Sequence, residues 1–232
     1  METINQICAD YSYIYAANIL GLNIYEINNE AKYAFITYSG GFSTVWSNDD
    51  KIFVGTACSG IKYFNKPCIS GSHVNPYNLS ACLNDFSDLT CYDELTSDYI
   101  KYLHGSADVL LVITNSGIDV VKINPQSYRS SSTIVSGMKG FMTSTGKFYY
   151  TVSGSDEWSV HRVNTCLFDW SIPDAEYKTG GGILASGIKL NDIFVTENTS
   201  SDGISNTLFI ATSSGVYMID EGSNKYNIYY KE

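Results

Sequence analysis

One short turn sequence, repeated along the chain, limits what these 232 residues can fold into. Four segments share a β-forming run, then Thr-x-(x)-Ser-Gly, then a second β-forming run. They are Lys51-IFVGTACSG-IKYFN, Asp108-VLLVITNSG-IDVVKIN, Lys147-FYYTVSG-SDEWSVHRV and Thr207-LFIATSSG-VYMID, with a degenerate fifth copy, Ser12-YIYAANILG-LNIYEIN, at the start. The flanking runs are rich in Val, Ile, Phe and Tyr, residues suited to a pleated, half-buried surface. A terminal Gly free to take positive φ fits a tight turn between them. Each copy therefore reads as a β-hairpin.

The final glycines, Gly21, Gly60, Gly117, Gly154 and Gly215, are separated by 39, 57, 37 and 61 residues, and the wrap from Gly215 through the C-terminus back to Gly21 adds 38. A period near 40 residues is that of a four-stranded propeller blade. The expected fold is all-β: a single domain over 1–232, a five-bladed β-propeller closed through the N- and C-termini. First strands are expected near Ile4–Ala9, Phe42–Ser47, Tyr99–His104, Met138–Ser144 and Ile188–Glu197, and last strands at Lys32–Tyr38, Tyr128–Val135 and Tyr226–Lys231. A two-sheet sandwich also has short, evenly spaced strands, but it does not predict a whole-chain period with matching ends.

Three segments depart from the period and read as irregular insertions: 66–97, 165–182 and 198–206. Long loops in compact domains often carry function. The first two hold Tyr77, Phe86, Tyr92, Phe168 and Trp170, aromatic residues with no assigned strand, which are the candidates for contact with a partner protein.

The chain carries 24 acidic against 14 basic residues, a net charge of −10. Nucleic acid is not an expected partner, because phosphate binding needs clustered Lys and Arg; an anionic membrane surface is disfavoured for the same reason. No run of 18 apolar residues is present, and no signal peptide is read at the N-terminus. The six cysteines show no C-x-x-C spacing and are expected as reduced thiols, with Cys82–Cys91 as the pair most suited to oxidation.

Catalytic signatures are not found. His73, His104 and His161 are isolated, and neither a nucleophile elbow, a P-loop nor a dinucleotide fingerprint occurs. A glycosidase needs two carboxylates at a controlled separation; the first strands offer only Asp10, Asp192 and Glu197. Asn48-Asp49-Asp50 and Asp156-Glu157 read as turn residues, with calcium at Asp49, Asp50 and Asp156 as a minor alternative. Neither a cofactor nor a catalytic or metal-binding residue is expected. Trp46, Trp158 and Trp170 occupy non-equivalent positions, so a lectin with one sugar site per blade is not indicated, although a single site for surface glycan stays open.

The hairpin texts LFIATSSGVYMID, KIFVGTACSGIKYF and VLLVITNSGIDVVKI look like propeller-blade repeats. With its uncharged, Asn/Ser/Tyr-rich texture, the chain resembles compact propellers of tailed-bacteriophage virions. That resemblance implies a non-enzymatic scaffold in the neck, in the tail or attached to the capsid, docking to other structural proteins of a multi-copy assembly. It carries over no functional residue. The alternatives are a carbohydrate-binding propeller on an adhesion device, or a cytoplasmic setting.

Overall fold

The computed structural model describes residues 3–27, 32–66, 87–88, 95–107, 109–123, 126–132, 137–153, 158–164, 175–180, 184–200, 203–223 and 225–230. They form five four-stranded antiparallel sheets, and among them there is no α-helix. Sheet one holds β1 (Ile4–Ala9), β2 (Tyr13–Asn18), β3 (Gly21–Glu26) and β4 (Lys32–Thr37). Sheet two holds β5 (Thr44–Ser47), β6 (Lys51–Gly55), β7 (Ile61–Asn65) and β8 (Ser87–Asp88). Sheet three holds β9 (Ile100–Ser106), β10 (Val109–Thr114), β11 (Ile118–Ile123) and β12 (Gln126–Ser132). Sheet four holds β13 (Gly137–Met142), β14 (Lys147–Ser153), β15 (Trp158–Asn164) and β16 (Ala175–Lys178). Sheet five holds β17 (Leu190–Ser200), β18 (Gly203–Thr212), β19 (Gly215–Asp220) and β20 (Lys225–Tyr230).

Every sheet is a meander of consecutive strands, so each sequence repeat supplies the middle hairpin of one sheet. The N-terminal strand lies in sheet one and the C-terminal strand in sheet five. The 38-residue wrap suggests that the two ends meet to complete one blade; instead β20 finds its whole ladder on β19, from Gly215↔Tyr230 to Asp220↔Lys225, and β1 pairs with β2. The segment 198–206 is also not a loop. Asn198 pairs with Ser205 and Ser200 with Gly203, so the ladder runs on almost to the tip of the hairpin. Its Thr, Ser and Asn residues are as compatible with a solvated hairpin as with a turn, and composition alone favoured the turn. Short strands inside the other two segments, β8 and β16, complete sheets two and four.

The repeated threonine has a physical role. Thr114 Oγ1 accepts the Ser116 and Gly117 N–H groups at 3.2 and 3.0 Å and donates to the Gly117 carbonyl at 3.1 Å. Thr212 does the same with Ser214 and Gly215, Thr56 accepts the Ser59 N–H and donates to the Gly60 carbonyl while the Gly60 N–H goes to the Asp98 carbonyl, and the Asn18 amide oxygen accepts the Leu20 and Gly21 N–H groups. One side chain thus satisfies the backbone groups that a tight turn would leave unpaired. Gly60, at φ 64°, takes the left-handed conformation the turn requires. In the fourth copy, Thr151 instead accepts the N–H of Lys139 on the neighbouring strand.

The strands group into two compact units, Met1–Ile134 and Val135–Glu232. In the first unit the leading strands β1, β5 and β9 lie side by side. Sheet two is buried on both faces: Val45, Ile52 and Val54 pack with Tyr15, Leu22 and Ile24, while Trp46 and Phe53 pack with Leu103, Leu110 and Val112. Burial on both faces explains why its strands read as continuous apolar runs rather than as alternation. In the second unit, Tyr149 and Val160 of sheet four pack against Val195, Leu208, Ile210 and Tyr217 of sheet five, and β13 lies beside β17.

Candidate functional site

Tyr77, Phe86, Tyr92, Phe168 and Trp170 lie outside the described residues, as do His73, Asp156 and Glu157. The site is therefore sought among the remaining side chains.

On sheet four the ladder brings the titratable groups Tyr150, His161 and Glu176 into one row. Ser159 Oγ lies 2.8 Å and Glu176 Oε1 2.9 Å from the same ring nitrogen, His161 Nε2, while the Tyr150 hydroxyl is 3.3 Å from Nδ1. A nucleophile–histidine–carboxylate relay needs its two partners on opposite ring nitrogens. Ser159 and Glu176 share Nε2, so Ser159 is not placed as the nucleophile of such a relay, and the cluster links strands β14, β15 and β16. Burial pulls the His161 pKa below its ordinary value, with Glu176 acting in the opposite direction.

The three first-strand carboxylates each accept local hydrogen bonds. Asp10 accepts Lys66 Nζ and the Tyr15 hydroxyl, both at 2.6 Å, and the N–H groups of Ser12 and Tyr13. Burial alone would raise its pKa; these donors more than compensate and hold it below the usual carboxylate range. Glu197 accepts the backbone and side-chain groups of Ser144 at 2.9 Å, and Asp192 accepts the Ile193 N–H. Among the described residues, no group of three or more His, Cys, Asp and Glu could hold a metal ion.

Two clefts open in the first unit. One, of about 490 Å³, lies where the β5–β6 and β9–β10 turns meet, with Asn48, Asp49 and Asp50 on its rim and Trp46 and Gly105 in its floor. A Cβ on Gly105 would stand 2.8 Å from the Trp46 ring, so the glycine is what lets the indole close the floor. Trp46 is buried and offers no stacking platform.

The other cleft, of about 370 Å³, lies at the opposite end of the leading strands, where the repeated turns gather. Ile19 of the β2–β3 turn, Ala57 of the β6–β7 turn and Tyr99, just before β9, form its walls. Asn5, Ser43 and Lys101 provide polar groups within it. Asn5 Nδ2 donates to the Phe42 carbonyl at 2.9 Å, and the Ser43 hydroxyl donates to the Ile100 carbonyl, so side chains tie the three sheets together at this end. The link between β4 and β5 packs directly on the Ile19 turn. Ile19, Leu20 and Tyr99 are 62%, 49% and 45% exposed at this end, an unusual concentration of large apolar groups in water. The sequence placed Tyr99 at the start of a leading strand but did not single it out, nor Ile19 or Lys101; the signal was positional, since all three adjoin the same edge of successive repeats.

No protein-family model matches this sequence, and no curated protein matches it. Solved structures are similar in fold. The extracellular domain of a putative one-component system from B. thetaiotaomicron aligns with a TM-score of 0.62 at 13% identity, over 98% of this chain and 30% of that one. The Swd1 β-propeller domain of Myceliophteria thermophila aligns with a TM-score of 0.61 at 10% identity, over 99% of this chain and 74% of that one. The computationally designed Ika8 protein aligns with a TM-score of 0.55 at 8% identity, over 96% and 59%. The chain thus spans less than a third of the first structure's length. Its fold is all-β and propeller-like.

Proposed function

We infer that the five sheets are the blades of one five-bladed propeller, and that the protein is a non-enzymatic scaffold that docks other proteins. Side-by-side leading strands within each unit and the likeness to a propeller domain over nearly the whole chain support the fold reading. The exposed Ile19, Leu20 and Tyr99 around the turn-end cleft carry the functional one. Large apolar side chains held on rigid turns are suited to protein docking, because little ordering entropy is lost on binding. In the sheet-four histidine cluster Ser159 and Glu176 share Nε2, which does not set Ser159 up as a nucleophile. The setting we favour is a multi-copy assembly such as a virion, which rests on the chain's polar, weakly charged composition. Fold likeness alone assigns no function.

The test is cross-linking mass spectrometry on the assembly isolated intact from its source. Cross-links from Lys101 to a different protein chain, lost in an Ile19→Asp/Tyr99→Asp variant that retains its melting transition, are the expected result. Turnover of a polysaccharide by the pure protein would overturn the non-enzymatic reading, and saturable glycan binding with no protein partner would favour the lectin alternative.

A further inference from the structure

The turn-end cleft has a chemistry that the docking reading leaves open. Its described lining contains one charged group, the Lys101 ammonium, and no carboxylate. In a chain with 24 acidic and 14 basic residues this reverses the local charge balance. Among the described residues Lys101 makes no ion pair. One Asn5 amide N–H and the Ser43 hydroxyl are engaged by the Phe42 and Ile100 carbonyls, and the lysine is the charged group of the cleft that attracts an anion. The walls beside it, Ile19 and Tyr99, are apolar and open to water. A ligand that satisfies both features carries a carboxylate next to a hydrophobic body.

We propose that this cleft binds a short acidic–apolar peptide segment of a partner protein, with an Asp or Glu carboxylate on Lys101 and an adjoining aliphatic or aromatic side chain against Ile19 and Tyr99. The occupant follows from charge complementarity and size: 370 Å³ lies at the lower end of the range of small ligand pockets and suits a few side chains rather than a folded domain. A single lysine is too little positive charge to hold a nucleic acid or an anionic bilayer. The proposal rests on the docking reading and specifies the partner's chemistry.

Fluorescence anisotropy with three labelled peptides tests it: Asp-Leu-Phe-Glu, Lys-Leu-Phe-Lys and Asp-Ser-Ser-Glu, each flanked by Gly-Ser. The first should bind saturably and the other two at least about tenfold more weakly, with Lys101→Glu and Tyr99→Ala each costing the first peptide at least about tenfold. Lys101→Gln, which removes the charge and keeps the length, should fall between wild type and Lys101→Glu. Equal binding of the three peptides, indifference to Lys101→Glu in a variant with an unchanged melt, or displacement by free N-acetylglutamate as efficiently as by peptide would each overturn the proposal. If the first peptide fails while Lys101 still cross-links to a partner chain in the native assembly, the peptide chemistry is wrong and the docking reading stands. If both fail, both readings fall.

Discussion

The Arg162 guanidinium lies 2.8 Å from Glu221 Oε1, an ion pair joining β15 of sheet four to the β19–β20 turn of sheet five, with only 18% and 7% of the two side chains exposed. The same carboxylate accepts the Tyr149 and Tyr177 hydroxyls, each at 2.7 Å, and Asn206 Nδ2 donates to the Tyr149 oxygen at 3.0 Å. Burial, and then the carboxylate itself, push the Tyr149 pKa up, so the phenol stays a donor through the neutral range.

Removing one member of this network strands the others. Glu221→Ala takes away the carboxylate that pairs with Arg162 and accepts the Tyr149 and Tyr177 hydroxyls, and should cost about 3–5 kcal/mol in urea denaturation. The double variant Arg162→Met/Glu221→Leu removes both charges and should recover most of that loss. A single-variant cost below about 1 kcal/mol would show that the pair contributes little.

Asp119, which is buried, and His104, which is half-buried, make opposing contributions to acid stability. Asp119 is fully buried on β11 and accepts the Thr96 N–H and hydroxyl; burial raises its pKa from 3.8 to about 6. The folded chain therefore holds this proton more tightly than the unfolded chain, so the group's stabilising contribution is complete below 3.8 and is lost as pH rises through about 6. His104 is shifted the other way by burial, from 6.5 to about 4, and its contribution is present above 6.5 and lost as pH falls through about 4. Over the shared window the slopes offset each other. Asp119→Asn should make the protein lose stability more steeply on acidification, and His104→Gln should make it gain. Denaturation midpoints measured between about pH 4 and pH 7 check both signs; parallel curves for the two variants would refute the assignment.

The repeated threonine should be replaceable by serine but not by valine. Thr212→Val keeps the shape while removing the acceptor of the Ser214 and Gly215 N–H groups and the donor to the Gly215 carbonyl. A loss of about 1–2 kcal/mol is expected, with Thr212→Ser close to wild type. Equal losses for the two variants would assign the effect to the methyl group instead.

These turns also show what the sequence could convey. A hairpin whose caps are local, as at Thr56, Thr114 and Thr212, writes its structure into five or six consecutive residues, and the repeat was legible for that reason. The segment 66–97 was legible as an irregular loop beside a weak outer strand, where β8 lies, but β16 was not, because four residues pairing at a sheet edge are too few to show a period. The β17–β18 arms beyond Glu197 were hidden because their polar side chains match a loop's composition while their backbones remain in the ladder. The cleft was least legible of all. Lys101 and Ile19 are 82 positions apart and meet through the stacking of three sheets, a relationship that no local pattern records.

Two adjacent glycines between sheets one and two allow a test with its own control. Gly40 and Gly41 both take positive φ, 92° and 66°, in a turn where the Gly41 N–H donates to the Tyr38 carbonyl at 2.9 Å. An alanine at either position pays for a backbone conformation that L-residues rarely adopt, about 1 kcal/mol or slightly more. The surroundings differ. A Cβ on Gly40 meets nothing within 4 Å, whereas on Gly41 it would stand 2.3 Å from the backbone carbon and oxygen of Ile19. Backbone cannot rotate aside as a side-chain tip can, so Gly41→Ala must push the link away from the Ile19 turn and open the wall of the turn-end cleft. Gly40→Ala should therefore cost about 1 kcal/mol and leave binding of the Asp-Leu-Phe-Glu peptide intact. Gly41→Ala should cost about 3 kcal/mol or more and weaken that binding in whatever fraction remains folded. Equal destabilisation by the two substitutions would mean that the close approach of Gly41 to Ile19 does not hold in solution, and the cleft wall would have to be built in another way.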